Sequence, residues 1–91
     1  MVQQLANNQF AISTNNAKYF QSYNSVVCKI DKKTNHIILS QHWDYSVTTA
    51  KHLYRFLREN TALQQVNKKA LTIAIKQNDI TLVEVNSLDI V

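Results

Sequence analysis

The sequence predicts an α+β fold in which an antiparallel β-meander packs against two amphipathic helices, with a further strand at the C-terminus. Three observations support this fold class. Before Trp43, short apolar runs alternate with period two, as strands do; after Ser46, apolar residues recur at helical spacing. The loops between the first apolar runs are short, which favours antiparallel neighbours. A chain of 91 residues suffices for one core, so we expect residues 1–91 to form a single domain.

The first strands are predicted from alternation and turn residues. Residues 1–8 are mostly polar, and we expect them to fray. Residues 9–13 alternate and predict the first strand. Residues 31–35 form a predicted hairpin loop of turn-favouring side chains, and residues 36–40 return as the partner strand.

The segment between the first predicted strand and the hairpin loop is harder to assign to strands and turns. Residues 26–30 predict a strand whose Val26, Cys28 and Ile30 face the core, with the intervening side chains on the other face. The residues just before it are strand-like but interrupted, and Asn24 is expected to mark a bulge or kink.

The first helix is predicted at residues 46–58. Ser46 is a suitable N-cap, because its hydroxyl can accept a first-turn N–H, and the Asp44 carboxylate lies where it could accept another. Asn60 is a candidate left-handed C-cap. The apolar stripe consists of Ala50, Leu53, Tyr54 and Leu57, and the opposite face carries Lys51, Arg55 and Arg58.

The second helix is predicted to begin at Thr61, which forms a capping box with Gln64, and to stop at residues 78–79. Its expected buried stripe is Leu63, Val66, Ala70, Ile73 and Ala74. Residues 71–75 are rich in β-branched side chains and fit a strand as well, although we favour a helix. Residues 80–85 predict the final strand.

The chain contains neither glycine nor proline. Positions that need a positive φ must therefore be filled by other residues, for which asparagine is best suited. The candidates are Asn15, Asn16, Asn24, Asn35, Asn60, Asn78 and Asn86. The same composition excludes the glycine-dependent phosphate loops and nucleophile elbows of common nucleotide-binding and hydrolytic enzymes.

No motif for a metal or for catalysis is found. His36, His42, His52 and Cys28 match no zinc spacing, and we expect no metal and no cofactor. No pair of carboxylates has the spacing for acid–base catalysis. His42, Asp44 and Ser46 superficially resemble a triad, but three residues so close in sequence cannot easily converge on one substrate. We therefore expect a protein that is not an enzyme.

Positive charge is concentrated in the helical part of the chain. The net charge is +4, and residues 51–76 carry six Lys or Arg residues against Glu59 alone. Such a basic side favours an acidic partner, although a solvated helix face has the same composition. The candidate partner-binding residues are Lys51, Tyr54, Arg55, Arg58, Lys68 and Lys69.

The aromatic residues divide into two expected groups. Those expected in the core are Phe20, Tyr23, Trp43 and Phe56, and those expected at the surface are Tyr19, Tyr45 and Tyr54. Surface tyrosines close to positive charge could also stack on the bases of a nucleic acid.

Several segments resemble one family of small proteins. They are residues 20–25, Lys29-Ile30, the Trp-Asp-Tyr-Ser-Val-Thr-Thr element at 43–49, and Phe56-Leu57. The resemblance covers roughly residues 20–85. The family is associated with phages and mobile elements of Gram-positive bacteria and is functionally uncharacterised, so it implies an origin and supplies no catalytic residues. Accessory proteins of such elements often antagonise host defence, as anti-CRISPR proteins do.

Two functions are therefore expected from the sequence. The first is a binding protein that inhibits a host nucleic-acid-handling protein, such as a defence nuclease, by engaging its acidic surface. The second is direct binding of DNA or RNA through the same basic side. With one cysteine, no apolar run that could span a membrane and no secretory signal, we expect a cytoplasmic protein. Exposed sheet edges are compatible with a monomer or a homodimer.

Overall fold

The computed structural model of the protein describes residues 1–84 and 87–88. The strands are β1 (Val2–Ala6), β2 (Gln9–Ser13), β3 (Ala17–Ser22), β4 (Ser25–Asp31), β5 (Ile37–Ser40) and β6 (Ile80–Val83), and the helices are α1 (Val47–Asn60) and α2 (Lys68–Lys76). Val85, the expected end of the last strand, and Asn86, a predicted turn residue, lie outside the described residues.

All six strands form one sheet, in the order β1-β2-β3-β4-β5-β6. The first five strands pair antiparallel as a meander, and β6 pairs parallel with β5. α1 packs on β2 and β3, and α2 contacts β6. The predicted α+β fold, with two helices packed on a mostly antiparallel sheet, is confirmed. None of the helices in the described part of the chain is long and apolar enough to cross a membrane.

We expected the N-terminal residues to fray. They do not, because β1 pairs with β2. The Met1 ammonium donates to the Ser13 carbonyl at 2.8 Å, and the Ser13 N–H donates back to the Met1 carbonyl at 2.8 Å. Asn8 has a φ of 61° and allows the tight connection between the two strands. Sequence reasoning missed β1 because its apolar residues, Val2, Leu5 and Ala6, do not alternate, although Leu5 packs against the core.

The interrupted stretch before residue 26 is a hairpin turn between two strands. Ser22 pairs with Ser25, and Tyr23 lies between them with a φ of 54°. The bulge that we expected at Asn24 falls instead at Val27, where the register shifts between the Phe20–Cys28 and Gln21–Val26 pairs. As a result, Val27 is buried next to Cys28, and Val26, which we placed in the core, is only half-buried.

The predicted loop at residues 31–35 is confirmed. The backbone N–H groups of Thr34 and Lys33 donate to Asp31 Oδ1 at 3.1 and 2.8 Å. These bonds hold the pKa of Asp31 below its ordinary value. Asn35 follows with a φ of 62°, and Asn78 has the same value before β6, as predicted for residues that replace glycine.

Helix α1 begins where the sequence predicted. Ser46 is extended, and its hydroxyl accepts a bond from the Thr49 N–H at 3.1 Å. The buried residues are Thr49, Leu53, Phe56 and Leu57. Asn60 is not a left-handed cap; it is the last helical residue, and its side-chain amide donates to the Phe56 carbonyl at 2.8 Å.

Helix α2 is shorter than predicted and begins at Lys68. Thr61 does not cap it, because the Thr61 hydroxyl donates back to the Leu57 carbonyl at 2.6 Å and so completes α1. The N-cap is Asn67, whose side chain accepts from the Ala70 N–H at 2.8 Å. Residues 71–75 are helical, as favoured. The buried residue is Leu71, whereas Ile73 of the expected stripe is 44% exposed.

The core joins the sheet and the helices through apolar side chains. Phe20 and Phe56 lie 5.8 Å apart between ring centroids, and Trp43 is also buried, as expected. Two assignments are wrong: Tyr19 is fully buried, whereas Tyr23 is 58% exposed at its turn. Tyr45 is exposed, as expected, and Tyr54 is half-buried.

Replacement of the α1 cap tests the start of this helix. Ser46→Ala removes the acceptor for the Thr49 N–H, and we expect a loss of about 1 kcal/mol in the free energy of unfolding. The midpoint of thermal unfolding should fall by about 4–8 °C. Thr48→Ala is the matched control, since Thr48 is exposed in the same turn, and it should be neutral or slightly stabilising. Equal effects of the two variants would contradict the capping role.

Candidate functional site

A shallow groove runs along α1 from Val47 to Arg58, and the first residue of α2 reaches it. Its lining residues are Asp44, Ser46, Val47, Ala50, Lys51, Tyr54, Arg58 and Lys68. We call it the basic groove. It has a volume of about 470 Å³ and opens widely to solvent. This shape fits a protein or nucleic-acid surface better than an enclosed small molecule.

Helical spacing explains which residues line it. Val47, Lys51, Tyr54 and Arg58 follow one another three or four positions apart, so they share one face of α1. Lys68 comes from the other side, because it is the first residue of α2. The connection between the helices therefore supplies a cation that no pattern within α1 could reveal.

The groove has an excess of positive charge. Lys51, Arg58 and Lys68 face a single carboxylate, Asp44, which lies 3.4 Å from the Lys68 ammonium. Lys68 is 72% exposed at its side chain, so this ion pair contributes little stability and leaves the cation accessible.

The surroundings of Tyr54 in the groove shift the pKa of its hydroxyl. Partial burial raises the pKa of the Tyr54 hydroxyl, and the nearby Asp44 carboxylate raises it further. The Lys68 ammonium acts in the opposite direction. Tyr54 thus remains a neutral phenol at physiological pH, with one edge packed against the core and the other lining the groove.

Two apolar side chains are exposed near the start of α1, and one of them, Val47, lines the groove. Val47 is 88% exposed and Tyr45 is 78% exposed. Tyr45 does not line the groove: its ring stacks on His42 at 5.5 Å between centroids, and both residues line a separate pocket beside the turn between β3 and β4. The groove therefore combines its cations with one exposed aliphatic side chain, Val47, and with the half-buried ring of Tyr54.

The structure brings together four of the six predicted site residues. Lys51, Tyr54, Arg58 and Lys68 line the basic groove. Arg55 does not line it, because its guanidinium pairs with Glu59 at 2.7 Å one turn further along α1. Lys69 is exposed on α2 but is not among the residues that line the groove.

The sequence predicted a different role for Asp44. We expected its carboxylate to accept N–H groups at the helix start, but Ser46 takes that role and Asp44 pairs with Lys68 across the groove. Val47 was missed as a groove residue because it was weighed only as a neighbour of the cap. Its position four residues before Lys51 was the available signal.

Two residues that were considered as metal ligands, His36 and Cys28, have places within the fold itself. His36 Nε2 lies 2.6 Å from the Thr81 hydroxyl, on the neighbouring strand. Cys28 is fully buried, and burial raises the pKa of its thiol far above the usual range. In residues 1–84 and 87–88, no three His, Cys, Asp or Glu side chains are grouped so that they could hold a metal ion.

The basic groove falls within the part of the chain that matches a known family. The family model DUF8033, described as a family of unknown function, matches residues 2–78. The chain belongs to this family. The DUF8033 match runs from β1 to the end of α2 and therefore includes every residue that lines the groove. Searches of curated proteins and of solved structures found no match.

Asp44 and Lys68 shift the pKa of Tyr54 in opposite directions, so the arrangement of charges in the groove can be tested. Asp44→Asn should lower the pKa of Tyr54, and Lys68→Gln should raise it, because each removes one of the two nearby charges. Phenolate absorbance measured against pH reports both shifts, and Tyr54→Phe identifies the signal. In both variants the pKa should stay above the ordinary value, since burial is the largest cause.

Shifts of the same sign in the two variants would show that these three groups do not share a groove in solution. Lys33→Gln is the control, because Lys33 lies in the 31–35 loop and does not line the basic groove. It should leave the Tyr54 titration unchanged.

Proposed function

We propose that this protein is a non-enzymatic inhibitor of phage or mobile-element type. It docks its basic groove on an acidic surface of a host nucleic-acid-handling protein, such as a defence nuclease, and acts in the host cytoplasm as anti-CRISPR proteins do. The single observation that carries the proposal is the convergence of Lys51, Arg58 and Lys68 from two helices on one open groove. Acidic surfaces are the complement of such a cluster.

The surroundings of the groove favour a protein partner. Val47 offers an exposed apolar side chain beside the cations, and a protein partner can bury it. The Asp44 carboxylate would repel a phosphate backbone, whereas a protein surface can place a donor against it. The resemblance of the 43–49 segment to mobile-element proteins supplies the biological context, and this same segment leads into the groove.

The proposed mechanism is occlusion. A nuclease or related protein binds its own nucleic acid through a cationic channel and often bears acidic residues around its metal ions. A small protein with a cationic groove can cover such an acidic patch without performing chemistry. Electrostatic complementarity would speed the encounter, and burial of Val47 would slow dissociation.

Charge reversal tests the proposal. In Lys51→Glu/Lys68→Glu both residues are exposed, Lys68 is the first residue of α2, where a glutamate is tolerated, and its exposed ion pair with Asp44 contributes little stability, so the fold should be retained. We expect at least tenfold weaker capture of the partner. Lys33→Glu/Lys76→Glu changes the net charge equally at exposed positions that do not line the groove, and it should bind as the unmodified protein does.

The measurement is affinity purification from a susceptible Gram-positive host at near-physiological salt. Nuclease treatment of the lysate excludes bridging by nucleic acid. Recovery of no protein partner, or equal loss with both charge-reversed variants, would reject the proposal.

Direct binding of DNA or RNA is the second candidate. The observation that favours it is Tyr54, whose ring lies among Lys51, Arg58 and Lys68, the arrangement in which a base can stack between phosphate contacts. Here the partner would be the nucleic acid itself, and affinity would come mainly from the release of counterions.

Salt dependence distinguishes this candidate. The logarithm of affinity for single- or double-stranded DNA should fall linearly with the logarithm of salt concentration. In Lys51→Glu/Lys68→Glu the slope should be shallower by about two, one for each lost phosphate contact. Fluorescence anisotropy with labelled oligonucleotides measures both. Absence of binding at low salt would eliminate the nucleic-acid candidate.

A further inference from the structure

The outer edge of β1 carries little of the protection that sheet edges usually have. β1 is the first strand of the sheet, and Val2, Gln3 and Gln4 are exposed. Its five residues include no charge and no proline. Soluble proteins commonly guard an edge with such residues, because an unguarded edge offers unpaired backbone groups to another strand. The one guarding feature of this strand is the register shift between Gln4 and Ala6.

The backbone groups that face outward follow from the pairing with β2. Met1 and Ser13 exchange both of their backbone hydrogen bonds, so they form a hydrogen-bonded pair. In an antiparallel ladder such pairs alternate with non-hydrogen-bonded ones. Gln3 therefore bonds to Ala11, whereas Val2 and Gln4 direct their N–H and C=O groups away from β2, towards solvent.

We propose that β1 pairs antiparallel with β1 of a second copy of this chain. The two-fold axis passes between Gln3 and Gln3 of the second copy. In this register each Val2 lies opposite Gln4 of the other chain, so four backbone hydrogen bonds form from the outward-facing groups. The two sheets join into one continuous sheet, and the register shift after Gln4 ends the pairing.

Residues 2–4 of the two strands form this self-complementary register with no charged side chain of their own, and Lys18 and Glu59 line the cavity beside Gln3. Although each chain carries a net charge of +4, the facing strands are uncharged. The two Gln3 residues form a non-hydrogen-bonded pair, in which side chains approach closely, and their amides can bond to each other. A second copy therefore satisfies every outward group of residues 2–4 in a single arrangement, as a two-fold interface requires.

The space beside β1 also suits a second copy. A cavity of about 190 Å³ lies between β1 and α1, and its walls include Gln3, Leu5, Ala11, Phe56 and Asn60. In the proposed dimer, the second copy's β1 extends the floor of this cavity. With strands about 4.8 Å apart, the two α1 helices would lie roughly 20 Å from each other and would not collide. The basic groove shares no lining residue with this cavity and stays accessible.

The contact is small, so the dimer should be weak and reversible. Pairing of one short strand buries less than the roughly 800 Å² per partner of a standard stable interface. Association is therefore expected in the micromolar to millimolar range.

Complementary charges at position 3 test the register. Gln3→Lys places two ammonium groups face to face across the two-fold axis, and Gln3→Glu places two carboxylates there. Each variant alone should associate more weakly than the unmodified protein, by a factor of up to about five. An equal mixture of the two should associate at least as strongly as the unmodified protein, because every heterodimer pairs a lysine with a glutamate. Asn7→Lys is the control, since it adds the same charge in the adjoining turn and should leave association unchanged.

Sedimentation velocity over a concentration series measures these states, with any tag at the C-terminus so that β1 is unobstructed. The unmodified dimer should change little with added salt, and Lys51→Glu/Lys68→Glu should dimerise normally. These results are independent of the basic groove, so failure of either proposal can be recognised separately. A protein that stays monomeric at millimolar concentration, or a mixture that associates no better than its components, would overturn the β1 dimer.

Discussion

The parallel pairing of β5 with β6 is the constraint on which the rest of the structure depends. Two adjacent parallel strands cannot be joined by a hairpin, because the chain must first return to the end of the sheet at which the first of the two strands began. Residues 41–79 make that return, and both helices belong to it. The position of α2 beside α1, and with it the approach of Lys68 to the basic groove, follows from this crossover.

The orientation of α1 on the sheet decides which of its side chains remain outside. Phe56 packs against Phe20, and the Thr49 hydroxyl lies 2.9 Å from the Ser22 hydroxyl and 3.0 Å from Ser46. The cap and the sheet are thus linked through one threonine. Because these contacts fix the rotation of the helix, Lys51, Tyr54 and Arg58 face the groove and Arg55 faces Glu59.

The two proposed surfaces depend on different physical forces. The basic groove attracts through charge, which salt weakens and which has a long reach. The β1 edge attracts through backbone hydrogen bonds, which have a short reach and depend on register. A chain that uses both could present two basic grooves from one continuous sheet, and a bivalent arrangement raises the apparent affinity for any partner with two acidic sites.

The sequence by itself determined the elements whose signals are local. The cap at Ser46, the exposed cations of α1 and the 31–35 loop each depend on neighbouring side chains, so their patterns were sufficient. At residues 71–75 the pattern favoured a helix but also fitted a strand, and the structure has the helix. The three-dimensional structure decided four other features. It formed β1 from residues without alternation, it turned the chain at Tyr23, and it delayed α2 to Lys68 because Thr61 bonds back to Leu57. It also chose which cations meet in the groove. The pairing of β1 and the meeting of the groove cations join residues distant in sequence, which a periodic pattern does not record. The Thr61–Leu57 bond is local, but the pattern at Thr61 fits both the end of one helix and the start of the next.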